Sequence, residues 1–215
     1  MWMYLLLCYA VASCWEHGFH LFVLHARRRS RQRWRQWAWL GDLMRLAYFF
    51  HHEIHHRRTF RSSPLVQFDS DQQRRVLSRR LRTMRALPPE HDHFGASLSG
   101  YLQVITVAGP PVLLNLMLAA WLAPALAWLG VVVGCLPMLI SRYIHPMLHG
   151  LPPRGLLSPA LARIIQRQGW FLYLRHYHEQ HHRSGRCNLN LLLGADWLWS
   201  TAASRRKAPL TSNVV

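Results

Sequence analysis

Residues 101–141 read YLQVITVAGPPVLLNLMLAAWLAPALAWLGVVVGCLPMLIS and contain no aspartate, glutamate, lysine or arginine. A membrane-spanning helix needs roughly 20 mainly apolar residues, so this run is long enough for two helices joined by a turn at 121–124. A further apolar stretch begins the sequence and is broken only near its end, by one glutamate and two histidines. The sequence therefore predicts an all-α integral membrane protein. It has about three transmembrane helices, at about 1–24, 101–121 and 125–144.

The basic residues lie outside these apolar stretches. Sixteen of the 26 lie within 26–100 and ten within 142–215, whereas the whole chain has nine acidic residues. Because basic residues accumulate on the cytoplasmic side of membrane proteins, we expect both basic stretches to be cytoplasmic and the N-terminus to lie outside. The first segment lacks the basic start of a signal peptide, and we therefore expect a retained span. An inner membrane of a bacterium is the expected location.

The organisation that follows is a single membrane-embedded domain over 1–215. A basic helical cap, formed by 26–100 and 145–203, covers the cytoplasmic face, and a polar tail over 204–215 is frayed. The formal net charge of +17 is also typical of nucleic-acid-binding proteins. Here, however, the arginines flank membrane spans, where anionic lipid headgroups are the nearer partner. We expect anionic membrane lipids as partners and no nucleic acid.

Ten of the fifteen histidines fall into four clusters, each with a spacing of three to five residues. The clusters are His20 with His25, His52 with His55 and His56, His145 with His149, and His178 with His181 and His182. Residues three or four apart share one face of a helix, so three of the clusters direct their imidazoles at one point. His20 and His25 are five apart and diverge by roughly 140° on an ideal helix, which suits a helix end that unwinds.

Neutral imidazole is the commonest metal-ligand side chain, and ten rings are more than one ion uses. Each cluster lies at or just beyond the cytoplasmic end of a predicted span. The sequence therefore predicts a site for two metal ions on one face of the membrane, with these ten histidines as ligands. A nitrogen-rich pair of iron ions is the best chemical fit, although imidazole also suits copper, zinc and nickel.

Other polar residues are expected to support the ligands or to have no part in the site. Glu16 lies four residues before His20 and is expected to accept a hydrogen bond from a ligating ring, which would fix its tautomer. His51 and His176 adjoin the clusters and are expected either to support the ligands or to be bystanders. His17 is expected to be structural. The remaining two histidines, His91 and His93, are expected to line a loop over the site.

The histidine clusters and their neighbours resemble the fatty acid hydroxylase / sterol desaturase family of membrane-bound di-iron oxygenases. The stretches that carry the resemblance are EHGFHLFVLH at 16–25, HEIHH at 52–56, HPMLHG at 145–150 and HEQHH at 178–182. The segment from Cys187 to Thr201, which contains Asn188 and Asp196, resembles the family's closing turn. Leu21 and Ser200 stand where arginine and glycine are usual. In order and spacing the clusters look closest to the fatty-acid and sphingolipid 2-hydroxylases.

This resemblance implies an O2-dependent hydroxylase that acts on the acyl chain of a fatty acid or lipid. It implies two iron ions held by the ten histidines, with zinc as a substitute in purified protein and no catalytic residue separate from the ligands. Asn188 and Asp196 would support the ligands, and a ferredoxin or a cytochrome b5-like protein would donate electrons.

Two alternatives stay open at this point. A lipid desaturase or an oxidative decarboxylase would use the same ligand set. A non-enzymatic, histidine-based metal-binding membrane protein is the alternative of a different class. A metal carrier would place ligands inside its spans or on both sides of them, whereas these clusters lie on one side.

Overall fold

The computed structural model describes residues 1–83, 104–153, 157–184 and 188–199. Within these ranges every regular element is helical, which confirms the predicted all-α class. The α-helices are α1 (Trp2–Phe19), α2 (Arg28–Arg33), α3 (Ala38–Tyr48), α4 (Asp71–Thr83), α5 (Gly109–Leu122), α6 (Ala127–Leu139), α7 (His145–Leu148), α8 (Pro159–Gln166), α9 (Gly169–Ser184) and α10 (Ala195–Leu198). Of the predicted features, the tail over 204–215 and the loop with His91 and His93 lie outside the described residues.

Two helical stretches in the described part of the chain are long and apolar enough to cross a membrane. They are Val104–Leu122, with 19 residues, and Pro124–Leu148, with 25. Both prolines, at 110 and 111, lie in the first turn of α5, which directly continues the π-helical turn Val104–Ala108. A proline has no N–H for the carbonyls of that preceding turn, and the Thr106 carbonyl accepts instead from Trp15 Nε1 at 3.2 Å. The chain reverses at Ala123, which is not helical. The two stretches match the second and third predicted spans in length and composition. The predicted span over 1–24 stays a prediction.

The helix α1 packs against both apolar helices, and small or polar residues set how closely. Asn115 is fully buried and donates from Nδ2 to the Gly130 carbonyl at 3.0 Å. A Cβ at Gly130 would lie 2.4 Å from the Tyr4 hydroxyl oxygen, and one at Gly134 would lie 2.8 Å from Val112 backbone atoms. These glycines therefore allow α1, α5 and α6 to form one closely packed bundle.

Among the residues that the structure describes, four π-helical turns interrupt the α-helical pattern, and three of them adjoin histidine clusters. The turns are His20–Leu24, Phe49–His56, Val104–Ala108 and Ile140–Ile144. A π-turn bonds an N–H to the carbonyl five residues earlier, as the His25 N–H does to His20 at 3.0 Å. Residues five apart therefore come to the same face. The His20 and His25 ring centroids are only 4.7 Å apart, whereas an ideal α-helix would separate them.

The cap closes over one end of this bundle. The helix α9 packs against α7 and α8 through a core of Met147, Leu148, Phe171 and Leu174. The helix α3 packs on the end of α1 through a second core that includes Val23, Trp34, Ala47 and Tyr48. The short helix α10 contacts α1. These contacts bring the end of α1, the turn after α3, α7 and α9 together.

Candidate metal centre

The first of two imidazole groups, the α1-end group, combines three parts of the chain. Its ligand nitrogens all lie within 4.8 Å of one another. The members are His20, His25, His51, His56 and His181. The Nε2 atom of His51 lies 3.2 Å from that of His25 and 3.0 Å from that of His56, and the His56 and His181 Nε2 atoms are 3.0 Å apart.

The second group, the α7 group, consists of His55, His145, His149 and His178, all buried. The His178 Nε2 atom lies 2.7 Å from the Nε2 atom of His149 and 3.3 Å from that of His145. One ring nitrogen carries at most one proton, so hydrogen bonding between the rings cannot satisfy all three atoms at once. Convergence of this kind is the geometry that a bound cation would stabilise.

The two groups adjoin each other through His182. Its ring is stacked on His56, with centroids 4.1 Å apart, and lies 4.5 Å from the rings of both His55 and His178. His55 and His56 are consecutive, yet they belong to different groups. The arrangement therefore consists of two neighbouring sites, with His182 at their boundary.

Buried ring nitrogens without hydrogen-bond partners support metal binding. Among the described residues these atoms are His20 Nε2, His52 Nδ1, His55 Nδ1 and Nε2, His178 Nδ1, and His182 Nε2. A buried polar atom left without a partner costs about 1–3 kcal/mol. Several such atoms close together, all on nitrogen donors of the kind that iron, zinc and copper accept, fit a pair of metal ions. The ligand set alone does not choose among these metals.

Burial keeps the imidazoles in the form that binds metals. It lowers the pKa of His25 to about 3 and that of His149 to about 4. Burial, reinforced by repulsion from neighbouring rings, holds the pKa values of His51, His55, His56, His178 and His182 well below the ordinary value for histidine. These rings are therefore neutral at neutral pH, and a neutral ring has a lone pair for a metal ion.

Hydrogen-bond acceptors behind three rings fix which nitrogen has that lone pair. The Pro64 carbonyl lies 2.7 Å from His149 Nδ1, and the Asn188 Oδ1 atom lies 2.5 Å from His20 Nδ1. The Thr59 hydroxyl donates to the His55 carbonyl, so its oxygen accepts from His182 Nδ1 at 3.0 Å. Each acceptor requires a proton on Nδ1 and leaves the Nε2 lone pair free for a metal ion.

Glu16 has partners other than the one predicted. Its carboxylate accepts from the Asn190 side chain at 2.5 Å and from the Leu191 and Leu192 N–H groups at 3.0 Å each. The His20 ring donates instead from Nδ1 to the Asn188 Oδ1 atom. Glu16 and His20 are four residues apart in sequence, but the oxygens of Glu16 accept from the Asn190 side chain and from the backbone N–H groups of Leu191 and Leu192.

His51, expected only to support the ligands or to be a bystander, and His52, expected as a ligand, are placed differently from the sequence-based assignment. His51 lies within the α1-end group, because the π-turn over Phe49–His56 brings residues five apart together. His52 belongs to neither group, and its ring stacks on Tyr48 at 5.0 Å and lies 5.7 Å from His25. The five-residue interval from His51 to His56, which repeats that from His20 to His25, is the signal that could have identified His51.

Three other residues lie away from the converging nitrogens. His176 Nε2 lies 2.7 Å from Gln180 Nε2, one turn along α9, and the ring belongs to neither group. Asp196 and His17 lie behind the α1-end group, with the His17 Nδ1 atom 2.7 Å from the Asp196 carboxylate. No local pattern indicates that His17 faces this carboxylate, because 179 residues separate the two.

No protein-family model matches the chain, and neither a curated protein nor a solved structure matches it. The family resemblance of the histidine clusters therefore stays a prediction.

Proposed function

We propose that this chain is a membrane-bound di-iron enzyme that uses O2 to hydroxylate the acyl chain of a fatty acid or lipid at the cytoplasmic membrane face. The observation that carries the proposal is the pair of adjoining, buried imidazole groups at one end of a bundle with two apolar helices. Nine histidines from four chain segments converge there, more than one ion would use.

The membrane assignment is supported by the surfaces of α5 and α6. Leu113 and Met117 on α5, and Trp128 on α6, are each at least 60% exposed although they are large and apolar. A water-soluble protein rarely exposes such a continuous apolar surface, and lipid chains would cover it. With α1 as a third span, the charge distribution directs the N-terminus outward and places the metal centre and C-terminus in the cytoplasm.

The metal centre would hold one iron ion in each imidazole group. The α1-end group offers five rings, and the α7 group offers four, with His182 beside both. Two iron ions bound there would supply the redox chemistry by which O2 oxidises an unactivated C–H bond. Zinc would be accepted by the same nitrogen donors in protein purified without added iron.

The residues of the chain have three tasks in this reaction. The acceptors Asn188, Thr59 and the Pro64 carbonyl orient the rings of their ligands. The buried cores around α7, α9 and α3 keep bulk water away from the centre. The apolar helices hold the acyl chain, while exposed arginines at 27–35 hold an anionic headgroup near the membrane surface.

Electrons would come from an external donor, a ferredoxin or a cytochrome b5-like protein. Hydroxylation needs O2, two electrons and two protons from outside the lipid. One oxygen atom of O2 is inserted into the C–H bond, and the other leaves as water. The described residues include no further cofactor-binding arrangement that we assign to this role.

The direct test combines metal analysis of the purified chain with lipid analysis of a bacterial host that expresses it. We expect about two iron ions per chain and lipids that gain one oxygen atom only in cells with the intact protein. Lipids that lose two hydrogens without gaining oxygen would indicate a desaturase, and loss of the carboxyl carbon a decarboxylase. Reversible metal binding with unchanged lipids would contradict the enzyme assignment.

A matched pair of substitutions on α9 sharpens this test. His178→Ala removes a ring that lies within 3.3 Å of two others, so iron content and product should both fall. Arg175→Ala changes an exposed side chain three residues earlier on the same helix and should change neither. Equal iron content in the two variants would show that the α7 group does not bind the metal.

A further inference from the structure

A buried polar network lies behind the α1-end group, between α1 and residues 188–198, which we call the closing segment. Asp196 is its centre, with 1% of its surface exposed. Its carboxylate accepts from His17 Nδ1 at 2.7 Å and from Asn188 Nδ2 at 3.0 Å. The Tyr177 hydroxyl lies 2.7 Å from the same carboxylate and 2.6 Å from the Asn188 carbonyl, and its single proton is shared between these two acceptors. An ionised carboxylate only accepts hydrogen bonds, so each polar neighbour of Asp196 must direct an N–H or O–H group at it.

This requirement orients the Asn188 side chain. An asparagine amide has a donor, Nδ2, and an acceptor, Oδ1, and the Asn188 Nδ2 group donates to Asp196. The Oδ1 atom of Asn188 therefore faces His20, 2.5 Å from its Nδ1 atom. An oxygen acceptor at that distance keeps the His20 proton on Nδ1. The other nitrogen, Nε2, is buried and has no hydrogen-bond partner within the described part of the chain.

We propose that Asn188, aligned by Asp196, is a positioning residue that sets the tautomer and ring orientation of His20 for metal binding. His17, on α1, donates to the Asp196 carboxylate and holds it in place. The network thereby supports the hydrogen bond between His20 and Asn188, which are 168 residues apart in sequence. The inference rests on the proposed metal centre, because a tautomer matters only if Nε2 meets a metal ion. It gives the closing segment a role beyond covering the site.

Substitutions at Asn188 separate this role from simple packing. Asn188→Leu keeps the number and branching of the side-chain heavy atoms but removes the acceptor, so the His20 proton is free to move to Nε2. We expect affinity for the ion in the α1-end group to fall by about 10- to 100-fold, as is usual when a supporting hydrogen bond to a ligand is lost. The α7 group shares no contact with Asn188 among the described interactions, and its affinity should be unchanged.

A double exchange provides the rescue. In Asn188→Asp with Asp196→Asn, an oxygen still faces His20, and the amide at 196 donates to the carboxylate at 188. Because Asp196 Oδ1 also accepts from His17 Nδ1, this exchange requires the neutral His17 ring to move its proton to Nε2, so that Nδ1 accepts from the amide. We expect the metal affinity of this variant to return to within a few fold of the original. Ser13→Ala is the packing control, because Ser13 bonds to Asn190 and to the Ala195 N–H in the same junction without touching His20.

The experiment is a Co2+ titration of the full-length chain in detergent micelles, followed by the visible absorption of the bound ion. The nitrogen NMR spectrum of the imidazole rings in the metal-free protein reports the His20 tautomer independently of metal binding. Weaker binding of one of two ions in Asn188→Leu, recovery in the double variant and normal binding in Ser13→Ala would establish the positioning role. Two unchanged affinities in Asn188→Leu would overturn it. Failure of the unsubstituted chain to bind Co2+ would instead contradict the metal centre itself.

Discussion

At the scale of single residues, the positions of His51 and His52 show what helical spacing can and cannot predict. An α-helical interval of three or four residues favours His52 as a partner of His55 and His56. The π-turn over Phe49–His56 instead brings His51 within 3.0 Å of His56 through their Nε2 atoms. His55 and His56 were predicted from the same motif and do converge with other rings, because neither depends on where the π-turn begins.

This difference gives a direct prediction. His51→Ala removes a ring from the middle of the α1-end group and should weaken binding of one ion by at least tenfold. His52→Ala removes a ring that stacks on Tyr48 outside the group and should weaken it much less. Co2+ titration of the two variants measures both effects. A larger loss in His52→Ala would restore the assignment made from α-helical spacing.

Thr59 offers a second prediction at this scale. Its hydroxyl oxygen accepts from His182 Nδ1, so Thr59→Val leaves that ring without its support while keeping the side-chain shape. Loss of a hydrogen bond behind a ligand typically lowers metal affinity about 10- to 100-fold. Thr59→Ser keeps the hydroxyl and should bind metal normally. If the serine and valine variants bind equally, His182 is not a ligand that Thr59 orients.

At the scale of elements, the apolar run at 101–141 predicted two helices and their turn, because length and hydropathy are properties of composition. The π-turns were not predictable in the same way. Residues 20–24 and 140–144 have ordinary helix-forming sequences, and nothing local in them indicates a π-turn. Both turns pack against other parts of the chain, His20–Leu24 against α3 and Ile140 and Ile144 against the core around Phe171. The contact of the closing segment with α1 likewise depends on hydrogen bonds to Glu16 from N–H groups 175 and 176 residues later in the chain.

Close approach of the apolar helices is testable at Gly134. A Cβ there would lie 2.8 Å from the backbone of Val112, which has no room to move within α5. Gly134→Leu should therefore separate α5 from α6 and lower stability by about 1–3 kcal/mol or more, as overpacked cores do. Val132→Leu, at a half-exposed position on the same helix, is the control and should change little. Thermal unfolding in detergent compares the two, and equal midpoints would contradict this packing.

At the scale of the whole molecule, the metal centre explains why so many imidazoles are buried together. Each segment that supplies them is attached to a different part of the bundle: the end of α1, the turn after α3, α7 and α9. Folding must therefore bring together rings that are separately costly to bury. In the absence of metal, the burial of these rings lowers the free energy of unfolding, which should therefore depend on pH.

The sign of that dependence follows from the lowered pKa values. An unfolded histidine has a pKa of about 6.5, whereas burial sets that of folded His25 at about 3 and of folded His149 at about 4. Below about pH 6.5 the unfolded chain therefore binds more protons than the folded chain, so the stability of the metal-free protein falls as the pH falls. By pH 5 each of these two rings should cost about 2 kcal/mol of stability. Thermal unfolding of chelator-treated protein between pH 7.5 and 5 should show a steady decrease in midpoint. The decrease should be smaller in His149→Gln, which lacks one titrating ring, and a midpoint independent of pH would show that these rings are already protonated or exposed in the metal-free fold.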